Sequence, residues 1–180
     1  MASVIQVDTI QTSLGAGAIA FDAGGRVTHP NLPAFWAIGF NADVYANATF
    51  QGLPLVFRDC RLNQQGAWNG TVGTSTNNGS RFTAPTAGVY YFAWEAMYKH
   101  AGGGDITMQI YKNAGVVSYN NCHMKDNGGY YPPWSMAQVN WLGTMAVNDY
   151  VDFRFNSSTD GTTYFYAGGL YNKCYGWLVG

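Results

Sequence analysis

The chain has 180 residues, of which 47% are hydrophobic, 16% aromatic and only 11% charged, with a formal net charge of −1. Ordinary globular chains are about 25% charged, so this surface is covered by Asn, Thr, Ser, Gly and Gln, or in part by other subunits. The composition excludes a disordered chain. The lack of any Lys/Arg cluster leaves nucleic acid without a partner surface, and no apolar run reaches the roughly 18 residues of a membrane-inserted span.

A chain of this length buries roughly 70% of its unfolded surface and needs no metal or disulfide to fold. The three cysteines, Cys60, Cys122 and Cys174, are odd in number and widely spaced, and read as buried small apolar residues. The start, Met1-Ala2-Ser3-Val4-Ile5-Gln6, lacks the basic and apolar regions of a secretory signal. Synthesis in a cytoplasm is expected.

Residues 1–31 read as a separate β-rich segment. Ile5-Gln6-Val7-Asp8-Thr9-Ile10 alternates, a run of small residues follows, and Ile19-Ala20-Phe21 precedes a turn at Ala23-Gly24-Gly25. Such strands are too short and too few to build a core alone. Ile5, Val7, Ile10, Ile19 and Phe21 are therefore the candidate attachment residues, for docking on another protein or intertwining three copies. Gly15-Ala16-Gly17-Ala18-Ile19-Ala20 loosely fits a dinucleotide fingerprint, but no helical pattern follows it. Pro30 and Pro33 end the segment.

From residue 32 to 180 the chain reads as many short strands punctuated by Gly and Asn, the pattern of an all-β sandwich or barrel. Strands are predicted at 34–40, 55–62, 89–97, 105–111, 116–123, 136–145, 150–155, 163–166 and 174–179. Glu95 and Lys99 have helical i,i+4 spacing, but their run is β-branched and aromatic. Read with period 2, Tyr90, Phe92, Trp94, Ala96 and Tyr98 share one face, and Val89, Tyr91, Ala93, Glu95 and Met97 the other. Both faces are largely apolar, so the second needs a cover, and a neighbouring subunit is the simplest.

Residues with catalytic or metal-binding chemistry do not assemble into a site. Cys122, His123 and Met124 alternate across a strand and cannot share one ion. Asp126-Asn127-Gly128 opens like a calcium loop but lacks its closing Glu. Asp149 and Asp152 stand near a strand start, where a subunit-bridging ion would need them. GxSxG, HExxH and Walker sequences are absent. No catalytic residue, metal or cofactor is assigned, and the chain is read as a non-enzyme. The four N-x-S/T sequons, at Asn47, Asn69, Asn78 and Asn156, reflect an Asn- and Thr-rich surface. Tyr130-Tyr131-Pro132-Pro133-Trp134 is a stiff aromatic stretch that would lose little entropy on binding. Tyr130, Tyr131 and Trp134 are the candidate ligand contacts, unless that loop packs on its own domain or on a neighbour.

These residues together resemble a C1q/TNF-type domain. Pro33-Ala34-Phe35-Trp36-Ala37 resembles its opening P-A-F-x-A strand, and Phe82 to Phe92 matches its central F-x-A-P-x-x-G-x-Y-x-F signature. Ile110-Tyr111-Lys112-Asn113 is similar to a strand ending in Lys-Asn. Ala146 to Val151 resembles its A-G-D-x-V step, with Asn148 where Gly is usual. Cys174-Tyr175-Gly176-Trp177-Leu178-Val179 resembles its F-S-G-x-L-I strand, with Cys174 replacing Phe. The resemblance implies a ten-stranded jelly roll and a compact homotrimer with the terminal strands near the threefold axis. Phe35, Tyr91, Met97 and Trp177 are the candidate interface residues. No collagen-like G-X-Y run precedes the domain. The segment before it is similar to the leader of virion fibre proteins of phages, cyanophages especially. That resemblance implies a virion structural protein, made in the host cytoplasm, held to other virion proteins by its N-terminus and binding a host surface glycan or protein. The alternative is a bacterial lectin-like module of the same fold.

Overall fold

The N-terminal unit, residues 1–32, carries three short strands. They are β1 (Thr9–Gln11), β2 (Gly17–Phe21) and β3 (Val27–Thr28), antiparallel and in that order across the sheet. Ile10 stands opposite Ile19, and the register slips at Gln11. The computed structural model describes residues 9–11, 17–21, 27–28, 32–40, 44–46, 52–70, 79–100, 104–124, 134–157 and 163–179. Ile10, Ile19 and Phe21 are described by their backbone alone, and Ile5 and Val7 lie outside the described residues.

The second unit, residues 33–180, is a two-sheet sandwich. Its strands are β4 (Ala34–Ile38), β5 (Val44–Ala46), β6 (Asp59–Gln64), β7 (Trp68–Asn69), β8 (Arg81–Thr83), β9 (Gly88–His100), β10 (Gly104–Lys112), β11 (Gly115–Met124), β12 (Ser135–Met145), β13 (Tyr150–Ser157), β14 (Thr163–Phe165) and β15 (Asn172–Leu178). One sheet has the order β11-β10-β13-β8-β7; the other runs β5-β14-β9-β15-β4-β6, with β12 on the free side of β9.

The central strand β9 shows why the sequence folds this way. Tyr90, Phe92, Trp94, Ala96 and Tyr98 are all buried between the sheets, while Val89, Tyr91, Glu95 and Met97 are only half-buried on the outer face. Large flat rings tile a pleated surface well. Each ring buried here contributes roughly 1.5–3 kcal/mol. The core is correspondingly aromatic: Phe35 stacks on Trp68 at 4.3 Å, and Phe57, Phe153, Trp94, Phe165 and Phe155 continue the chain of ring contacts. The strand reading of Glu95 and Lys99 holds, and their helical spacing has no structural counterpart.

The Phe82–Phe92 signature has a plain packing role. Phe82 lies 5.5 Å from Tyr90 and 5.2 Å from Phe92, each edge to face. The Tyr90 hydroxyl donates to the Thr86 carbonyl at 2.7 Å, closing the turn between β8 and β9. Buried Ala84 exchanges backbone bonds with Asp149 and Asn148. Asn148 has φ 69°, the left-handed region that Gly enters freely and Asn tolerates. Asn where Gly is usual therefore leaves the turn intact.

Three strands escaped the sequence pattern: β5, β7 and β8. They are three, two and three residues long, too short for alternation to register. A second departure concerns the cysteines. Cys174 is buried and Cys122 partly so, but Cys60 is exposed on the edge strand β6. All three are free thiols.

Candidate interaction surfaces

The outer face of the seven-stranded sheet carries four of the residues singled out by the sequence, Tyr91, Met97, Trp134 and Trp177. Cross-strand register aligns them in rows. Leu142, Tyr91 and Trp177 stand side by side on β12, β9 and β15. Tyr175, Trp36 and Leu62 continue on β15, β4 and β6. Tyr91 packs on Trp177 at 4.8 Å, and Tyr175 is stacked parallel to Trp177. Solvent reaches 45% of Trp36, 42% of Trp177 and 61% of Leu142. A row of apolar side chains left this open on one sheet face marks an interaction site rather than a solvated surface.

Below these rows, Lys173 Nζ lies 2.9 Å from Glu95 Oε2, and the Tyr175 hydroxyl donates to Glu95 Oε1 at 2.6 Å. Partial burial pushes the Glu95 carboxyl up, but the Tyr175 hydroxyl and the Lys173 ammonium outweigh it and hold the carboxyl below its usual value. Burial and the Glu95 carboxylate together push the Tyr175 phenol up. Glu95 and Lys173 thus neutralise each other within one chain. A partner can cover this pair without stranding an ion.

Phe35 does not belong to this surface. It is buried in the core against Trp68, Phe82 and Phe92, so no neighbouring subunit can touch its ring. Its neighbour Trp36 holds the outward position instead, because adjacent strand residues point to opposite faces. Tyr91, Met97 and Trp177 do face outward.

Trp134 sits at the far end of the same face. The alternation of β12 puts it in line with Met136 and Leu142. Its ring meets Tyr166 edge-on at 5.3 Å, and Tyr166 meets Tyr171 likewise at 5.3 Å. Met97 joins this cluster through its backbone, accepting from Tyr166 N and donating to the Tyr171 carbonyl. Buried Asn172 donates from Nδ2 to the Tyr166 carbonyl, which pins the connection between β14 and β15. Trp134 and Met97, which the sequence assigned to different surfaces, therefore meet on one. Tyr130 and Tyr131 lie outside the described residues.

Sequence reasoning missed Trp36, Leu62, Leu142, Tyr166, Tyr171 and Tyr175. Alternation places Phe35 and Trp36 on opposite faces, but with two aromatic residues it does not say which face is the core.

The two carboxylates considered for a bridging ion are engaged within the chain. Asp149 accepts from Lys112 Nζ at 2.9 Å, Asn113 Nδ2 at 2.6 Å and Ala146 N at 2.8 Å. Asp152 is buried and paired with Arg154 and Arg81. Among the described residues no three His, Cys, Asp or Glu side chains converge as metal ligands.

The architecture, two antiparallel sheets and no helix among the described residues, is a C1q/TNF-type jelly roll. The chain is similar to the globular domain of zebrafish complement 1qA protein, with TM-score 0.52 and 17% identity over 82% of this chain and 98% of that one. It is similar also to an Eiger TNF structure from S. frugiperda, with TM-score 0.56 and 9% identity over 83% of this chain and 94% of that one. No family-level sequence pattern and no curated relative matches the chain.

Proposed function

We propose that this protein is a homotrimeric binding knob of a phage particle, anchored through its N-terminal strands and presenting its jelly roll to the host surface. The observation that carries the trimer is the open aromatic face of the seven-stranded sheet, with Tyr91, Trp177, Trp36 and Leu142 at its centre. Its internally paired Glu95 and Lys173 suit burial against a second copy. The likeness in fold to C1q and TNF domains supports three protomers rather than two. Three weak sites on one knob, and many knobs on one particle, gain avidity without new contacts.

Light scattering coupled to size-exclusion chromatography tests the assembly. The wild-type mass is that of three protomers at micromolar concentration. Trp177→Glu, which places an unpaired charge on the face without touching the core, gives a folded monomer. A wild-type monomer rejects the trimer.

The virion setting rests on residues 1–31, where Ile5, Val7, Ile10, Ile19 and Phe21 supply the apolar groups for docking on other virion proteins. Mass spectrometry of purified particles tests it. A high copy number denotes capsid decoration and a small multiple of three a tail fibre. Absence from particles rejects it. Tyr130, Tyr131 and Trp134 remain the proposed contact to a host glycan or protein, checked by cell binding of Trp134→Ala.

A further inference from the structure

The outer face of the five-stranded sheet differs in chemistry from the aromatic face of the other. On β13, Val151, Phe153 and Phe155 are buried inward, which turns Tyr150, Asp152, Arg154 and Asn156 outward. Asp152 is outward yet fully buried, because two guanidiniums close over it.

The two arginines are not equivalent. Arg154 donates from Nε and Nη2 to the two Asp152 oxygens at 2.6 and 3.0 Å, and from Nη1 to the Gly52 carbonyl at 3.0 Å. It lies 4.1 Å from the centre of the Tyr111 ring. Each of its three nitrogens donates a hydrogen bond, and it matches the Asp152 charge one for one. Arg81 lies 3.7 Å from the centre of the Tyr150 ring. Its Nη2 is 3.6 Å from Asp152 Oδ2, beyond hydrogen-bond reach. Its Nε is buried and has no hydrogen-bond partner among the described residues, while 41% of the side chain is exposed. One carboxylate thus faces two guanidiniums, and the surplus positive charge rests on Arg81.

We propose that this face binds carboxylate-bearing sugars through Arg81. The Tyr150 ring holds the guanidinium in place before a ligand arrives, which lowers the entropy lost on binding. The two Nη groups at the end of this planar fork can accept a carboxylate bidentately from solvent. The neighbours on this face suit sugar hydroxyls. Asn69 stands opposite Arg81 on β7. Asn156 and Gln109 bond to each other at 3.1 Å, and Tyr119 on β11 is 64% exposed. From β8 across to β11 is three strand spacings, about 14 Å, room for a short oligosaccharide running from Arg81 to the Tyr119 ring.

The inference rests on reading the chain as a binding module, but not on the number of subunits. Calorimetry on the full chain, with light scattering in parallel, tests it. Tetragalacturonate is the probe, against its methyl ester and against tetraglutamate. Tetragalacturonate binds, and more weakly as salt rises. The ester binds at least tenfold more weakly, as does tetraglutamate. Arg81→Gln lowers affinity at least tenfold while the protein stays folded, its melting temperature lowered by no more than about 4 °C. Arg81→Lys, which keeps the charge but not the fork, falls between. Absent binding, equal binding by the ester, or full affinity in Arg81→Gln overturns the inference. Equal binding of tetraglutamate overturns the sugar assignment and gives the site to acidic peptides. A trimer that does not bind rejects this site alone. A monomer that binds through Arg81 rejects the trimer alone.

Discussion

Ser118 on one sheet donates its hydroxyl to the backbone carbonyl of Asn140 on the other, at 2.6 Å. Asn120 Nδ2 does the same for the Gln138 carbonyl at 2.7 Å, and Lys112 Nζ for the Thr144 carbonyl at 2.9 Å. β12 pairs with β9 along one side, so its other side would offer unpaired carbonyls to any passing strand. Side chains from β10 and β11 close that edge and stitch the two sheets along one seam. Ser118→Ala with Asn120→Ala removes two exposed hydrogen bonds. The expected loss is about 1–2 kcal/mol, together with faster aggregation from the opened edge. Urea denaturation at fixed protein concentration and time-resolved light scattering measure the two effects.

Gly176 lies where β15 crosses the aromatic core. A Cβ there would sit 2.5 Å from Phe92 Cδ1, 2.8 Å from the Tyr91 carbonyl oxygen and 2.9 Å from Phe35 Cε1. The glycine of the G-x-L step is therefore required by close approach. Gly176→Ala forces the rings apart and costs about 1–3 kcal/mol. A melting temperature equal to wild type would refute this.

Asp152 predicts an asymmetry between its partners. Asp152→Asn leaves Arg154 largely buried without its counter-charge, and the expected loss is about 3–5 kcal/mol. Arg81→Gln removes a longer, half-exposed pair and costs less than about 1 kcal/mol. Chemical denaturation of the two variants side by side checks the ranking.

Asp149 gives a pH signature. Hydrogen bonds from Lys112, from Asn113 and from the Ala146 amide hold its carboxyl down at about 2, against 3.8 for the free group. A lowered folded value means the unfolded chain takes up the proton first. Asp149 therefore contributes stability above pH 3.8, and the contribution fades as the pH falls through about 2. Carboxyl carbon NMR reads the titration directly. Asn113→Ala, which removes one donor, moves the midpoint upward.

The fold was legible because its strongest signals are local. The alternation of residues 89–98 fixes β9 as a strand with two apolar faces, and every residue of the face turned inward is buried. The Phe82–Phe92 spacing carries the turn and ring cluster that join the sheets. Pattern reading faltered where a strand shortens to two or three residues, as at β7 and β8. It faltered also at Phe35, where two adjacent aromatics leave the choice of face to packing.

The interaction surfaces were less legible, because they are made by register between distant strands. Trp36, Leu62, Leu142 and Trp177 come from four strands, and nothing in their spacing predicts one face. Composition indicated too little charge to cover this protein's surface, and alternation along residues 89–98 indicated an apolar strand face in need of a cover. Tertiary structure decided which rings stand on that open face. It also decided that Arg81 and Arg154, far apart in the chain, converge on one buried carboxylate. A sequence shows the charges it carries. The balance of charge at a site depends on distance and burial, which only the folded sheets establish.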